Sequence, residues 1–153
     1  METDRIRNDK VMPPEPKHRR TPARIILDSN AMFVPLQFNI DIFQEIENLL
    51  NTKVELILLS PIRQELEKLA QKGSPKTRKD ASYALRIAEK CKSIELDEEY
   101  TDSSPDDAII RVAKEQEYPV FTNDRELRKR LRNINVPVIY VRQKSRLQID
   151  GRI

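Results

Sequence analysis

Short apolar runs alternate with amphipathic stretches along this chain, and that alternation limits the possible folds more than any other feature. The runs are ARIILD from Ala23, VELILLS at 54–60, YPVFT at 118–122 and VPVIYV at 136–141, with IEL at 94–96 as a shorter fifth. They are apolar throughout rather than alternating with polar residues, as in strands covered on both faces. Between them lie helical signals. Ile40, Phe43, Ile46, Leu49 and Leu50 share one helical face, with Asn39 or Asp41 in place to cap it. Ser60-Pro61 and Ser104-Pro105 each put serine at an N-cap and proline in the first turn. Further helices are expected over 75–91 and 124–132. No Asn-Gly or Asp-Gly turn joins two of the runs, so hairpins are not expected between them. The expected fold is α/β, a three-layer α/β/α arrangement around a central, mostly parallel sheet.

The length of 153 residues suits one domain. Residues 1–22 are polar and carry four of the ten prolines, and are read as a disordered arm. The folded domain is expected over 23–141, with 142–153 as a basic tail. Two glycines, Gly73 and Gly151, leave no P-loop and no GxGxxG turn. One histidine, His18, and one cysteine, Cys91, leave no zinc cluster and no plausible Ser-His or Cys-His relay. Cys91 is expected to be a buried, inert thiol. No run approaches the ~18 apolar residues of a membrane helix, and the start has no signal-peptide core, so the cytoplasm is the expected location.

Ligands of open parallel sheets sit at the carboxyl ends of the strands. Asp28 ends the first run and Asp124 follows YPVFT by two residues, while Glu65 and Asp107 lie in helices that enter after strands. Each acid has a plainer reading. Glu65 stands on the apolar side of its helix, beside Leu66 and one turn from Ile62, where a salt bridge would also hold it. Asp107 completes a capping box with Ser104, Asp28 suits a strand-end turn, and Asp124 can cap RELRKRL. Taken together the four point to a cation. Unit charges ~4 Å apart repel by roughly 4 kcal/mol at an effective dielectric near 20. All-oxygen ligation suits Mg²⁺ or Mn²⁺.

Charge adds a partner. Nine Lys and Arg fall between Arg125 and Arg152, opposed only by Glu126 and Asp150. Such asymmetry points to a polyanion, with a solvated helix face as the bland alternative. Arg125, Arg128, Lys129, Arg130 and Arg132 are the candidate contacts to the backbone of such a polyanion.

The segments IILDSN, LSPIRQELEKL, DDAIIRVA and FTNDRELRKRL, in that order, resemble the PIN-domain nucleases across residues 24–141. The resemblance implies an endonuclease that cuts single-stranded RNA with Mg²⁺ or Mn²⁺ at Asp28, Glu65, Asp107 and Asp124. It implies supporting roles for Asn30, Thr122 and the adjacent Asn123, and Asp106 can share the third acid's role. DRELRKRLRNINVPVIYV is most similar to the rRNA-processing PIN endonucleases of archaea and eukaryotes, which implies an rRNA precursor and a ribosome-assembly protein as partners. The VapC toxins share the four acids and imply an antitoxin partner instead, and either group allows a homodimer. A non-catalytic PIN-like scaffold that docks RNA or protein is the rival from another class. A receiver-like fold would need a lysine after a late strand, where Arg142 stands.

Overall fold

The computed structural model describes residues 21–101 and 103–153. The arm read over 1–22, except its last two residues, lies outside them, as does His18. Six strands form one sheet: β1 (Ala23–Leu27), β2 (Val54–Leu59), β3 (Lys92–Ile94), β4 (Val120–Phe121), β5 (Val138–Arg142) and β6 (Arg146–Asp150). Their order is β3-β2-β1-β4-β5-β6. The first five are parallel, with Ile26 opposite both Ile57 and Val120, and Val120 opposite Val138.

Strand character decides this arrangement. Ile25, Ile26, Leu27, Ile57, Leu58, Leu59, Val120, Phe121, Val138 and Ile139 have no exposed surface, so both faces of the central strands are covered. The helices supplying that cover are α1 (Val34–Phe38), α2 (Ile42–Leu50), α3 (Ser60–Lys72), α4 (Pro75–Ala88), α5 (Glu98–Thr101), α6 (Pro105–Gln116) and α7 (Arg125–Asn133). Ile42 and Ile46 of α2, Ile62 and Leu66 of α3, Ile109 and Val112 of α6, and Leu127 and Leu131 of α7 enter the core. Each pair is three or four residues apart, as one helical face requires. No helix among the described residues is long and apolar enough to cross a membrane.

Three local expectations are corrected. Ser60 is the first residue of α3 rather than its cap; it is buried, and its Oγ accepts the Leu96 N–H at 3.0 Å, tying the helix start to the segment after β3. A 3₁₀ turn at Ser29–Phe33, α1 and α5 were not expected. The largest correction is the tail. Residues 146–150 form β6, antiparallel to β5 with Val141 opposite Leu147 and Ile139 opposite Ile149. The turn before it is closed by Ser145 N–H donating to Arg142 O, and its two central residues, Gln143 and Lys144, have φ of 55° and 59°. Two central residues at positive φ make the hairpin turn that asparagine and glycine usually supply. Here it is built from residues that carry no such signal.

The strand order places the site. From β1 the chain winds outward through β2 to β3, then returns to the other side of β1 and winds through β4 and β5. The carboxyl ends of β1 and β4 therefore flank the point where the winding reverses, where open α/β sheets leave a crevice.

Candidate active site

Among the described residues only three polar side chains are buried: Asp28, Ser60 and Thr122. Two of them meet at this crevice. Asp28 follows β1 directly, its backbone N–H donating to Phe121 O of β4 at 3.0 Å. Its Oδ1 accepts the Ser29 N–H at 2.8 Å. Its Oδ2 accepts the Thr122 hydroxyl at 2.7 Å and Asn30 Nδ2 at 2.8 Å. Thr122 Oγ1 accepts the Asp124 N–H at 3.1 Å, and Asn30 Oδ1 accepts the Asn123 N–H at 2.9 Å. Asn123 Oδ1 in turn accepts the Val141 N–H at 2.8 Å. One network thus ties the first acid to the loop carrying the last, and anchors both to β5.

Asp124 caps α7. Its Oδ1 accepts the N–H groups of Glu126 at 2.9 Å and Leu127 at 3.2 Å, which leaves Oδ2 outside the cap. Glu65 is half-buried on α3, as its place beside Leu66 implies. Asp106 and Asp107 sit side by side in the first turn of α6, but successive helical residues point ~100° apart. Asp107 is turned toward α7: its Oδ1 receives Arg130 Nη2 at 2.7 Å, and its backbone N–H donates to Ser104 Oγ at 3.2 Å. Asp106 is half-buried and makes no contact with Arg130 comparable to that of Asp107.

The electrostatics separate the two. Burial pushes the Asp106 carboxyl above its ordinary range, and the charges of Asp28, Asp124 and Glu65 push it further; Arg130 partly opposes them. Burial likewise raises Asp28, against the pull of its Thr122 and Ser29 hydrogen bonds, with Asp124 adding to the rise. Asp107 goes the other way, held below the carboxylate range by its hydrogen bonds to Arg130 and Ser104. Of the two acids read for the third place, Asp106 is coupled by charge to Asp28, Asp124 and Glu65, while Asp107 is paired with Arg130 and Ser104. Asp107 keeps the capping role its sequence context also allowed.

Among the described residues no three acid, histidine or cysteine side chains are drawn close enough to hold a metal as they stand. Their carboxylates are within Coulombic reach of one another rather than at ligand distance from one point. The donor set nonetheless fits a hard divalent cation. It is all oxygen, two of its members are raised by burial and mutual repulsion, and the arginine beside it is already engaged by Asp107.

The basic helix is also redistributed. Arg128 lies against Asp150 of β6, with Nε and Nη2 both 3.2 Å from Oδ2, and its guanidinium stacks 3.7 Å over the Tyr140 ring. Arg132 Nε is 3.3 Å from the other oxygen of Asp150. These two arginines hold β6 to α7 and are less exposed than the other basic residues of that helix. Arg125 and Lys129 are exposed, and Arg130 is half-exposed on Asp107. The four-residue spacing of Arg128 and Arg132, together with the lone acid Asp150 in a basic segment, is the signal that would have separated the groups. Cys91 is half-buried, and burial pushes its thiol up to about 11, which leaves it unreactive at neutral pH.

Residues 25–144 match the PIN like domain family. The chain belongs to that family. It is 38% identical over 131 residues to Ribonuclease VapC4 of Methanocaldococcus jannaschii, covering 85% of this chain and 98% of that protein. It is 30% identical over 122 residues to the rRNA-processing protein FCF1 homolog of Homo sapiens, covering 78% of this chain and 58% of that protein. Among solved structures, the PIN domain endonuclease Utp24 superposes with a TM-score of 0.71 at 29% identity, over 86% of this chain and 94% of that one. The fold is thus that of PIN-domain ribonucleases, and the crevice with Asp28 and Thr122 lies inside the matched segment.

Proposed function

We propose that this protein is a metal-dependent endoribonuclease that hydrolyses phosphodiesters of single-stranded RNA. Asp28, Glu65, Asp106 and Asp124 form its acid set, with Mg²⁺ or Mn²⁺ as the cofactor. The observation carrying this reading is the buried Asp28 carboxylate. Three donors orient it at the reversal point of the sheet, and it is coupled by charge to Asp106 and Asp124. Leaving a buried carboxylate ionised there is costly unless a cation meets it.

A bound divalent ion supplies an activated water and offsets charge on the phosphate. The chain's own residues prepare that chemistry. Thr122 and Asn30 fix the Asp28 oxygens, so little reorganisation is needed when substrate arrives. The cap on α7 holds Asp124 by one oxygen and leaves the other for ligation. Arg125 and Lys129, exposed on α7, suit contacts to the RNA backbone. With four Tyr and four Phe in the whole chain, stacking on bases is sparse and sequence readout weak.

The likeness to the rRNA-processing FCF1 homolog and to Utp24 supports structured rRNA precursor as substrate, with a ribosome-assembly protein as partner. The match to VapC4 along nearly its whole length favours a second reading, a toxin held by an antitoxin. Growth arrest on expression of the wild type, absent for Asp28→Asn, would carry the toxin reading. The activity itself is tested by incubating end-labelled single-stranded RNA with the protein in Mn²⁺ and in EDTA. Internal cuts that vanish in EDTA and in Asp28→Asn are expected. Equal cutting by wild type and Asp28→Asn overturns the assignment.

A further inference from the structure

Arg130 has no part yet in the chemistry, although it stands beside it. It is on α7 two turns after Asp124, its Nη2 donates to Asp107 Oδ1 at 2.7 Å, and its charge reaches Asp106. The neighbouring arginines of α7 are held elsewhere, Arg128 and Arg132 by Asp150. Building on the nuclease reading, we propose that Arg130 clamps the phosphate being cut, and that Asp107 positions it by the ion pair.

The reasoning is one of charge and shape. A phosphodiester entering a crevice lined by Asp28, Glu65, Asp106 and Asp124 meets four like charges. A cation next to those acids lowers that barrier where the substrate's own charge arrives. Guanidinium suits the task, since its planar fork can donate to two oxygens of one phosphate. The ion pair recorded with Asp107 uses one nitrogen, so the rest of the fork is available to a second acceptor. Both partners are about half exposed, which keeps the guanidinium open to an incoming strand. The adjacency of Asp106 and Asp107 acquires a meaning here. In one turn of α6, Asp106 is coupled by charge to the other acids and Asp107 is paired with the arginine. Arg130 touches substrate in this scheme, whereas Asp107 acts only through Arg130.

The test uses the full chain and a 5′-labelled single-stranded RNA under single-turnover conditions in Mn²⁺, together with calorimetric titration of Mn²⁺ alone. Arg130→Ala should cut at least about a hundredfold more slowly at saturating RNA, the range seen when a charge-stabilising donor is lost from an active site. It should bind Mn²⁺ a few-fold more tightly, since a repelling cation has gone. Arg130→Lys should recover part of the rate and restore the wild-type Mn²⁺ affinity. Asp107→Asn should slow cutting less than Arg130→Ala does, and melting curves confirm that each variant is folded. An Arg130→Ala protein that cuts as fast as wild type at saturating RNA, losing only RNA affinity, overturns the proposal and makes Arg130 part of a general basic surface. A wild-type protein that binds no Mn²⁺ and cuts no RNA overturns the nuclease reading, and this proposal with it.

Discussion

Replacing Thr122 by valine keeps the shape of the residue and removes one hydroxyl on which three contacts converge. Thr122 has no exposed surface. Its Oγ1 donates to Asp28 Oδ2 at 2.7 Å and accepts from Asp124 N at 3.1 Å and from Asn30 Nδ2 at 3.3 Å. A hydrogen bond to a charged group contributes roughly 1.5–3 kcal/mol, and leaving a partly buried amide unpaired costs about 1 kcal/mol more. The total is about 3 kcal/mol. For a chain of this size each kcal/mol moves the melting temperature by roughly 2–4 °C, so Thr122→Val should melt about 9 °C below wild type in EDTA. Groups that orient metal ligands typically change metal affinity by about 10–100-fold. Mn²⁺ affinity should therefore fall by at least about tenfold in the same variant, while Thr122→Ser, which keeps the hydroxyl, recovers most of both losses. Differential scanning fluorimetry and calorimetric titration read the two effects. A Thr122→Val protein that melts with the wild type and binds Mn²⁺ equally well would show that the network does not hold Asp28 for ligation.

Glu65→Gln should leave the metal-free melting temperature level or raised while cleavage collapses; a large drop in melting temperature with cleavage retained would show that Glu65 is a structural salt-bridge partner. In EDTA, stability should depend on pH through two opposed groups. Asp28 and Asp106 have raised folded pKa values, so their contribution is present below the ordinary carboxyl range and lost as pH rises through the raised values. Asp107 is lowered, so its contribution is present above that range and lost as pH falls through the lowered value. Asp28→Asn should accordingly flatten the decline in melting temperature as pH rises above the ordinary carboxyl range, a change that urea or thermal melts would detect. On α7, Arg128→Glu should destabilise by about 2 kcal/mol, because it sets a carboxylate against Asp150 and loses the stacking on Tyr140. Arg125→Glu with Lys129→Glu should leave the melting temperature alone and flatten the salt dependence of RNA binding in a filter assay.

The parallel sheet and the convergence of Asp28 and Asp124 were legible because strands covered on both faces must be apolar throughout. The strand ends then follow from where polarity returns. Glu65 was legible for a similar reason, being the charged residue in an apolar stripe. The choice between Asp106 and Asp107 was not, because both lie in the first turn of one helix and both suit its dipole. The helix phase relative to α7, fixed by tertiary packing, is what sets Asp107 against Arg130. β6 was hidden because Gln143 and Lys144 adopt positive φ without the residue types that announce it. Missing β6 also hid the ion pairs of Arg128 and Arg132, since their partner Asp150 then had no position. Ser60 misled in the opposite direction. Its Ser-Pro context is a cap signal, but burial gave its hydroxyl a partner 36 residues away.

The most direct test of the proposed site is an anomalous difference map from crystals of the wild-type protein soaked in Mn²⁺. A peak within ligand distance of the Asp28 and Asp106 carboxylates, with Asp107 still on Arg130, is the result predicted. A peak at Asp107 in place of Asp106, or no peak near Asp28 at saturating Mn²⁺, would contradict it.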